Sequence, residues 1–272
     1  MKDFSITPKE MIFSFWRNRK LIKILAKREV IGRYRGSLMG IMWSLLNPVL
    51  MLVVYTFVFS VVFKAKWNSG SDSKTEFALV LFSGLLVFNL FAECVNRAPT
   101  LILSNTNYVK KVVFPLEILP WVILSTSLFH MIISFFVWLF FYIIFFGQPQ
   151  LTLLFMPIIL FPLVFFTIGF TWILASLGVY LRDVAQIVGL MITTLMFLSP
   201  IFYPLSSLPK QYQALLSFNP LAVIIEETRK SLIWGHVPDL ITLAILTIIS
   251  MIMACLGFAW FQKTRKGFAD VL

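Results

Sequence analysis

The sequence predicts an all-α membrane protein with six transmembrane helices, an N-terminal amphipathic interface helix and a re-entrant helical hairpin between spans 5 and 6. Of the 272 residues, 59% are hydrophobic and 13% are charged, and the mean hydropathy is +0.90. A soluble domain of this length still exposes much of its surface and cannot hide so many apolar side chains. Glu117 is the only charged residue in the 70 residues from Val112 to Leu181. These observations exclude a soluble enzyme, a disordered chain and a collagen-like chain.

Six segments are long and apolar enough to cross a bilayer, which takes about 20 residues of helix. The expected spans are about 38–63, 77–103, 118–146, 151–180, 184–202 and 237–261. The chain is therefore divided into a cytoplasmic interface segment at 1–37, a six-span domain at 38–262 and a cytoplasmic tail at 263–272.

The distribution of Lys and Arg predicts the orientation. Residues 1–37 contain ten of the 23 basic residues, and alternation of six spans places 17 of the 23 on that side and six on the other. The side richer in Lys and Arg is the cytoplasm, so both termini are expected there. The excess of Lys and Arg on the cytoplasmic side accounts for the formal charge of +11, so no nucleic-acid partner is needed to explain it.

The N-terminal segment carries the signature of a helix start followed by an amphipathic face. Thr7 is the expected N-cap, Pro8 occupies the first helical position, and Glu10 would complete a capping box. From Arg19 to Lys27 the basic residues fall on one face and the Leu and Ile side chains mostly on the other. Such a helix is expected in the membrane interface. The residues leave open whether it only sets topology or also touches a cytoplasmic partner.

The stretch from Tyr203 to His236 is too long for a structureless loop. Asn219 and Pro220 predict a helix start, and Gly235 follows its expected end. The helix between them is too short and too charged to cross the membrane. Its charged residues are Glu226, Glu227, Arg229 and Lys230. We interpret 203–236 as a re-entrant hairpin on the outer side; the alternative, a seventh span, would place the basic tail outside.

Enzyme chemistry has little support in the sequence. His130 and His236 have no Cys, Asp or Glu at metal-ligand spacing. The chain has neither a G-x-S-x-G motif nor a G-x-x-x-x-G-K-[ST] phosphate loop. We therefore expect no catalytic residue, metal or cofactor on this chain, and any ATP and Mg²⁺ on a partner ATPase.

Five motifs together resemble a known family. They are REVIGRYRGSLMGIMWSLLNPVLMLVVYTFVFS at 28–60, NYVKKVVFPLEILP at 107–120, GVYLRDVAQI at 178–187, LSPIFYPLSSLP at 198–209 and FNPLAVIIEETRKSLI at 218–233. In this order and spacing they are similar to type-2 ABC exporter permeases, in particular the Wzm-type transmembrane subunits for polysaccharide and O-antigen. The first motif includes the usual Trp43, Asn47 and Pro48. The resemblance covers the chain from about residue 20 to the end.

The resemblance implies which residues couple the chain to an ATPase. In the family, the loop containing Asn107–Pro120 carries a short coupling helix that docks on the nucleotide-binding subunit. The implied coupling residues are Lys110, Lys111, Val112, Phe114, Pro115 and Glu117, with Arg28, Glu29, Arg182 and Asp183 nearby. Phe114 would project as part of an apolar knob, Pro115 would end the coupling helix, and Glu117 would begin span 3, where the helix dipole favours an acid.

Purely structural roles for these charged residues stay open. Lys110 and Lys111 could simply set topology. Arg182 and Asp183 could cap two helix ends, with Asp183 at the start of span 5. Glu93 and Arg97 lie four apart on one helical face and could pair inside span 2, although Arg97 is near enough to the cytoplasm to reach it.

The implied function is export of a lipid-linked polysaccharide on an undecaprenyl diphosphate carrier. Two copies of the chain would form the pore with two copies of the ATPase. Trp43, Tyr55, Phe59 and Phe88 are candidates to line a glycan duct, because aromatic rings pack on the C–H faces of sugars; ordinary lipid-facing positions are the alternative. Rival functions are a teichoic-acid or drug/lipid exporter, a membrane-embedded glycosyltransferase, and an ion-coupled transporter, for which Glu93 alone is a weak proton site.

Overall fold

The computed structural model describes residues 5–62, 67, 74–110 and 114–272, and this part of the chain is helical without a strand. The α-helices are α1 Pro8–Arg17, α2 Arg19–Tyr34, α3 Trp43–Tyr55, α4 Lys74–Arg97, α5 Thr106–Lys110, α6 Leu119–Phe146, α7 Met156–Tyr180, α8 Val184–Leu198, α9 Lys210–Ser217, α10 Pro220–Leu232, α11 Leu240–Thr264 and α12 Phe268–Val271. Short 3-10 helices lie at Gly40–Met42, Ala98–Thr100, Leu103–Asn105, Leu116–Ile118, Leu151–Phe155, Leu205–Ser207 and Arg265–Gly267, and a π-helix at Thr56–Val62 extends α3.

Five helical stretches are long and apolar enough to cross a membrane: Gly40–Phe59, Thr75–Thr100, Leu116–Phe146, Leu151–Tyr180 and Leu240–Val271. The chain is therefore a multi-pass membrane protein. The remaining predicted span, 184–202, corresponds to α8, which has 15 residues and ends at Leu198. Its early end has a local cause, because Pro200 pushes the preceding residue, Ser199, into extended backbone.

The N-terminal segment forms two helices that meet at Asn18. Thr7 caps α1 as predicted, since its hydroxyl accepts from the Glu10 N–H at 3.3 Å. The expected capping box is only half formed, because the Glu10 carboxylate pairs with Arg17 at 2.8 Å instead. The two helices differ in their apolar faces. On α2 this face is buried against the start of α6, whereas on α1 the apolar side chains Ile12, Phe13 and Trp16 are exposed.

Helix α4 forms the centre of the bundle. In the apolar stretch that contains α4, 89% of the residues are buried, whereas only 11% are buried in the stretch that contains α3. Helices α6, α7, α8 and α10 all pack on α4. Exposed apolar side chains lie on α3, α6, α8 and α11, and those of α3 and α8 include Leu50, Val53, Val54, Leu190 and Met191.

Helices α7 and α11 pack with their backbones in direct contact. A methyl group added at Gly257 would lie 2.3 Å from the carbonyl oxygen of Gly169, closer than atoms can approach. Small residues at this crossing let the two helices come together inside a membrane, where packing rather than hydrophobic exclusion drives association. Helix α4 packs on the α7 member of this pair.

Candidate functional site

Helix α5, the predicted coupling helix, is held between α2 and the last residues of the chain. Arg28 of α2 donates to the Tyr108 hydroxyl at 2.7 Å. Lys110 donates to the carbonyl of Leu272. The Tyr108 ring stacks on Phe114, with centroids 4.3 Å apart and planes 8° from parallel. Phe114 is thus partly buried against its own loop, and its expected role as part of an apolar knob stays a prediction.

Glu117 joins three parts of the chain. Its buried carboxylate accepts from the Ser14 hydroxyl of α1 at 3.0 Å and from Arg265, just beyond α11, at 2.5 Å. The same guanidinium donates to the Phe114 carbonyl at 2.7 Å, and the Trp172 indole of α7 donates to the Glu117 carbonyl at 3.1 Å. The expected interaction with the dipole of α6 is therefore secondary, because a buried ion pair engages this acid.

The other predicted coupling residues do not all fall in the described part of the chain. Lys111 and Val112 fall outside the described residues. Pro115 precedes the 3-10 turn before α6. The described part of α5 is Thr106–Lys110, and the end of this helix falls outside the described residues, so the expectation that Pro115 ends it stays a prediction. Arg182 and Asp183 are exposed in the turn between α7 and α8. Asp183 holds the N-cap position of α8, but its side chain makes no capping hydrogen bond.

A second polar cluster lies inside the bundle and is centred on Glu93 of α4. Its carboxylate meets Arg33 of α2 at 2.7 Å and His130 of α6 at 3.0 Å. The predicted partner Arg97 is farther away, at 3.6 Å, and forms an ion pair with Glu29 of α2. His130 could not be predicted as a partner from the sequence, because it lies 37 residues from Glu93. We call Glu29, Arg33, Glu93, Arg97 and His130 the Glu93 cluster; it fastens α2 to α4 and α6.

A cavity of about 310 Å³ opens beside the Glu93 cluster, between α3, α4 and α6. Besides Arg33, Glu93 and His130, its wall contains polar side chains of the three spans, among them Asn47, Asn89 and Ser134. Apolar side chains such as Leu85 and Leu86 complete it. Polar groups in membrane spans face such cavities rather than lipid.

The aromatic duct candidates separate into two groups. Trp43 is 37% exposed at the start of α3. Tyr55 and Phe59 are partly buried and contact Phe202, and the Phe59 and Phe202 rings stack with centroids 4.8 Å apart. Phe88 is only 2% exposed and sits in the core around α4. A side chain so deep in one bundle cannot line a duct, so this assignment is wrong for Phe88.

The hairpin formed by α9 and α10 is fixed by Arg229, which is 0% exposed. Its guanidinium donates to the carbonyls of Val80 at 3.3 Å and Ile201 at 2.8 Å, and also to that of Pro200. It also pairs with Glu226 at 2.9 Å and lies 4.3 Å from the centre of the Trp67 ring. We call these contacts the Arg229 clamp. They join α10 to the central helix α4 and to the segment that follows α8.

Other predicted hairpin residues make local contacts. Asn219 caps α10 as expected, since its side chain accepts from the Leu221 N–H at 3.0 Å, and Pro220 occupies the first turn. The Tyr203 hydroxyl donates to the Phe197 carbonyl at 3.1 Å. Glu227 is buried; it pairs with Lys230 at 2.6 Å and accepts from the Asp239 N–H at 2.8 Å. The Thr242 hydroxyl in turn donates to the Asp239 carboxylate and holds its pKa below the usual value.

Comparison with known proteins identifies the family of the chain. The chain is 27% identical over 262 residues to the O-antigen export system permease protein RfbA of Myxococcus xanthus, covering 96% of this chain and 98% of the relative. It is 28% identical over 253 residues to the protein of the same name from Klebsiella pneumoniae, covering 93% and 95%. The polysialic acid transport protein KpsM of Escherichia coli is 25% identical over 255 residues, covering 90% and 93%. Residues 20–233 match the family described as ABC-2 type transporter, and the chain therefore belongs to the ABC-2 transporter membrane family.

Proposed function

We propose that this chain is the transmembrane subunit of an ABC transporter that exports a lipid-linked polysaccharide, such as an O-antigen, and that a separate ATPase drives it. The observation that carries this function is the similarity over nearly the whole chain to O-antigen export permeases. The contacts of α5 support a role as the helix on which the ATPase acts. It is hydrogen-bonded to α2, and it is connected through Phe114 and Arg265 to the end of α11. A transport role without catalytic residues on this chain follows from this assignment.

The proposed topology has six spans with both termini in the cytoplasm of a bacterial inner membrane. Helix α8 is the fifth span; its 15 residues give about 22 Å of helix at 1.5 Å per residue, and the turn residues 199–203 after it complete the crossing. Helices α1 and α2 lie in the membrane interface, where the exposed Ile12, Phe13 and Trp16 meet lipid. The hairpin of α9 and α10 is re-entrant on the outer side. Its buried contacts with α4 support this, since backbone at membrane depth must be shielded by protein.

A second copy of the chain would complete the pore. The faces of α3 and α8 carry many of the exposed apolar side chains of the bundle, and a large exposed apolar surface marks a site of association or lipid contact. Between two such faces, Trp43, Tyr55 and Phe59 would offer aromatic surfaces to sugar rings. The glycan would be attached to undecaprenyl diphosphate, as the resemblance to Wzm-type permeases implies.

Coupling would use the contacts around α5. When the ATPase subunits close on ATP, a push on α5 would reach α2 through the Arg28–Tyr108 hydrogen bond. The Phe114 loop would pass the same push to Arg265 and Glu117, and so to α1 and α11. On the outer side, the Arg229 clamp would make the α10 hairpin follow the end of α8.

Deletion of the gene in its source bacterium tests the function. We expect the lipid-linked glycan to accumulate in the inner membrane and the surface glycan to disappear, with both restored by the intact gene. Normal surface glycan in the deletion strain would refute the proposal. Accumulation of unlinked sugar precursors, with no lipid-linked polymer, would instead support the rival glycosyltransferase function.

A further inference from the structure

The cavity beside the Glu93 cluster has polar groups that the fold does not use. Among the described residues, none forms a hydrogen bond with the side chains of Asn47, Asn89 or Ser134, although all three line the cavity. Asn89 is exposed even though 89% of the apolar stretch of α4 is buried. An unpaired amide within a membrane span is costly. These three side chains therefore need a polar occupant.

The charges of the wall favour a neutral occupant over an anion. Arg33 already pairs with Glu93 at 2.7 Å and lies 3.0 Å from Nδ1 of His130, and Arg97 is paired with Glu29. A phosphate entering the cavity would gain little from guanidinium groups that are already paired and would meet the Glu93 carboxylate in a medium of low dielectric. Amide and hydroxyl groups both donate and accept, and so match the hydroxyls of a sugar.

The shape and the apolar part of the wall fit the same occupant. Tyr34 and Tyr55 border the cavity, and Leu85 and Leu86 lie on the α4 side. Aromatic and aliphatic side chains pack on the C–H face of a sugar ring, while the amides bind its edge. The volume of about 310 Å³ is at the lower end of the range for small-molecule sites, about 300–1,000 Å³. One sugar unit, rather than a polymer, is the appropriate size.

We propose that this cavity, within a single copy of the chain, binds one neutral sugar unit of the lipid-linked glycan. The site rests on the proposed export function. It lies among helices of one copy, and through Tyr55, which borders it, it adjoins the proposed duct between two copies. Asn47 and Asn89 bind the sugar hydroxyls, and the Glu93 cluster keeps α2 in place beside it. The site would hold a terminal or carrier-proximal sugar.

Photocrosslinking in exporting cells tests this site. The benzophenone amino acid p-benzoylphenylalanine replaces Met51, which lines the cavity, or Ile144, an exposed residue of α6 that does not. After irradiation, glycan attached to the permease is measured with an anti-glycan antibody and by mass spectrometry. We expect a glycan adduct at position 51 and none at 144. Adding Asn89→Leu should lower the adduct about fivefold, the effect of losing one net hydrogen bond.

Thr247→Leu, a polar-to-apolar change on α11 away from the cavity, should leave the adduct at position 51 unchanged. Membrane level and co-purification of the ATPase should be normal in every variant. Adducts with phospholipid only, no adduct, or an adduct insensitive to Asn89→Leu would overturn the sugar site while leaving the export function intact. Absence of glycan export in cells with the unmodified chain would overturn the proposed function itself.

Discussion

The guanidinium of Arg229 donates a hydrogen bond to the main-chain carbonyl of Ile201, 2.8 Å away and 28 residues earlier in the chain. Because Arg229 lies in α10 and Ile201 follows α8, this bond links the hairpin to the outer end of the proposed fifth span. The same side chain reaches Val80 of α4 at 3.3 Å. The end of α8 therefore cannot move far without either moving α10 or breaking a buried bond.

Replacing Arg229 should uncouple these elements. Arg229→Gln leaves three carbonyls and the Glu226 carboxylate without their donor, and removing one partner of a buried ion pair costs about 3–5 kcal/mol. Arg229→Lys keeps the charge but not the planar fork of donors, so it should recover only part of the loss. Thermal stability in detergent and glycan export report the effects. Arg35→Gln, at an exposed arginine, is the matched control and should be neutral.

Gly84→Ala tests the clamp from the other side. A methyl group at Gly84 would lie 2.7 Å from Nη2 of Arg229, so the guanidinium must shift. We expect reduced export, and little further loss when the change is added to Arg229→Gln. Gly189→Ala, in open space on α8, controls for the helix propensity of alanine. Equal export by Gly84→Ala and wild type would show that the position of the guanidinium is unimportant.

The Glu117–Arg265 ion pair should hold the coupling loop in place. Glu117→Gln removes the charge that compensates the largely buried Arg265, 11% exposed at its side chain, and should lower stability by about 3 kcal/mol. In the double variant Glu117→Gln/Arg265→Gln no charge is left unpaired, so part of the stability should return. A double-mutant cycle on unfolding in detergent measures this coupling. Strictly additive effects would mean that the two side chains do not depend on each other.

Phe114→Ala should weaken binding of the ATPase. The change removes a ring that is partly covered by Tyr108 of α5 and offers its remaining surface to the ATPase. Loss of an aromatic anchor at an interface costs about 2 kcal/mol, roughly a thirtyfold loss in association. Tyr108→Phe keeps the stack and loses only the bond from Arg28, so it should do less. Lys110→Ala should also do less, since exposed charges are worth little. Pull-down of the ATPase, normalised to membrane level, measures all three; wild-type binding by Phe114→Ala would rule out the coupling role of this loop.

Cysteine labelling should place both ends of the chain in the cytoplasm. In a chain lacking Cys94 and Cys255, Ser5→Cys and Ala269→Cys are at exposed positions and should label only after permeabilisation. Ser207→Cys, exposed between α8 and α9, should label in intact cells. The neighbouring residue Phe268 is fully buried, so a cysteine at that position would not be accessible to the label. External labelling at 269 would mean that α10 crosses the membrane as a seventh span.

Helix positions were predictable from the sequence, because a spanning helix needs a long apolar run and helix starts carry local signals. Thr7 and Asn219 illustrate the local signals, since each caps its helix through a side chain only two or three residues away. The short length of α8 was not foreseen, because Pro200 ends the helix within an apolar run that hydropathy treats as continuous.

Partners distant in the sequence could not be predicted. From the sequence, Arg229 is one of several charged residues in the predicted hairpin. In the structure it is buried against α4 and donates to backbone carbonyls. Every residue has a backbone carbonyl, so the sequence does not indicate which of them Arg229 binds. In the sequence, His130 has no charged neighbour, because its partners Glu93 and Arg33 lie on other helices. Glu93 and Arg97 are four residues apart and lie on one face of α4, as the spacing predicts. Each of them, however, has a closer partner on α2: Arg33 pairs with Glu93 and Glu29 pairs with Arg97.

ATP-driven movement of glycan in a reconstituted system tests the central claim most directly. Proteoliposomes would contain this chain, its ATPase and the lipid-linked glycan, with ATP on the ATPase side, and the glycan exposed on that side would be measured with an impermeant glycosidase. We predict that ATP makes the glycan resistant to digestion only when both proteins are present, and that this chain alone hydrolyses no ATP. ATP turnover by the chain alone, or glycan that stays equally digestible with the complete complex and ATP, would contradict the account.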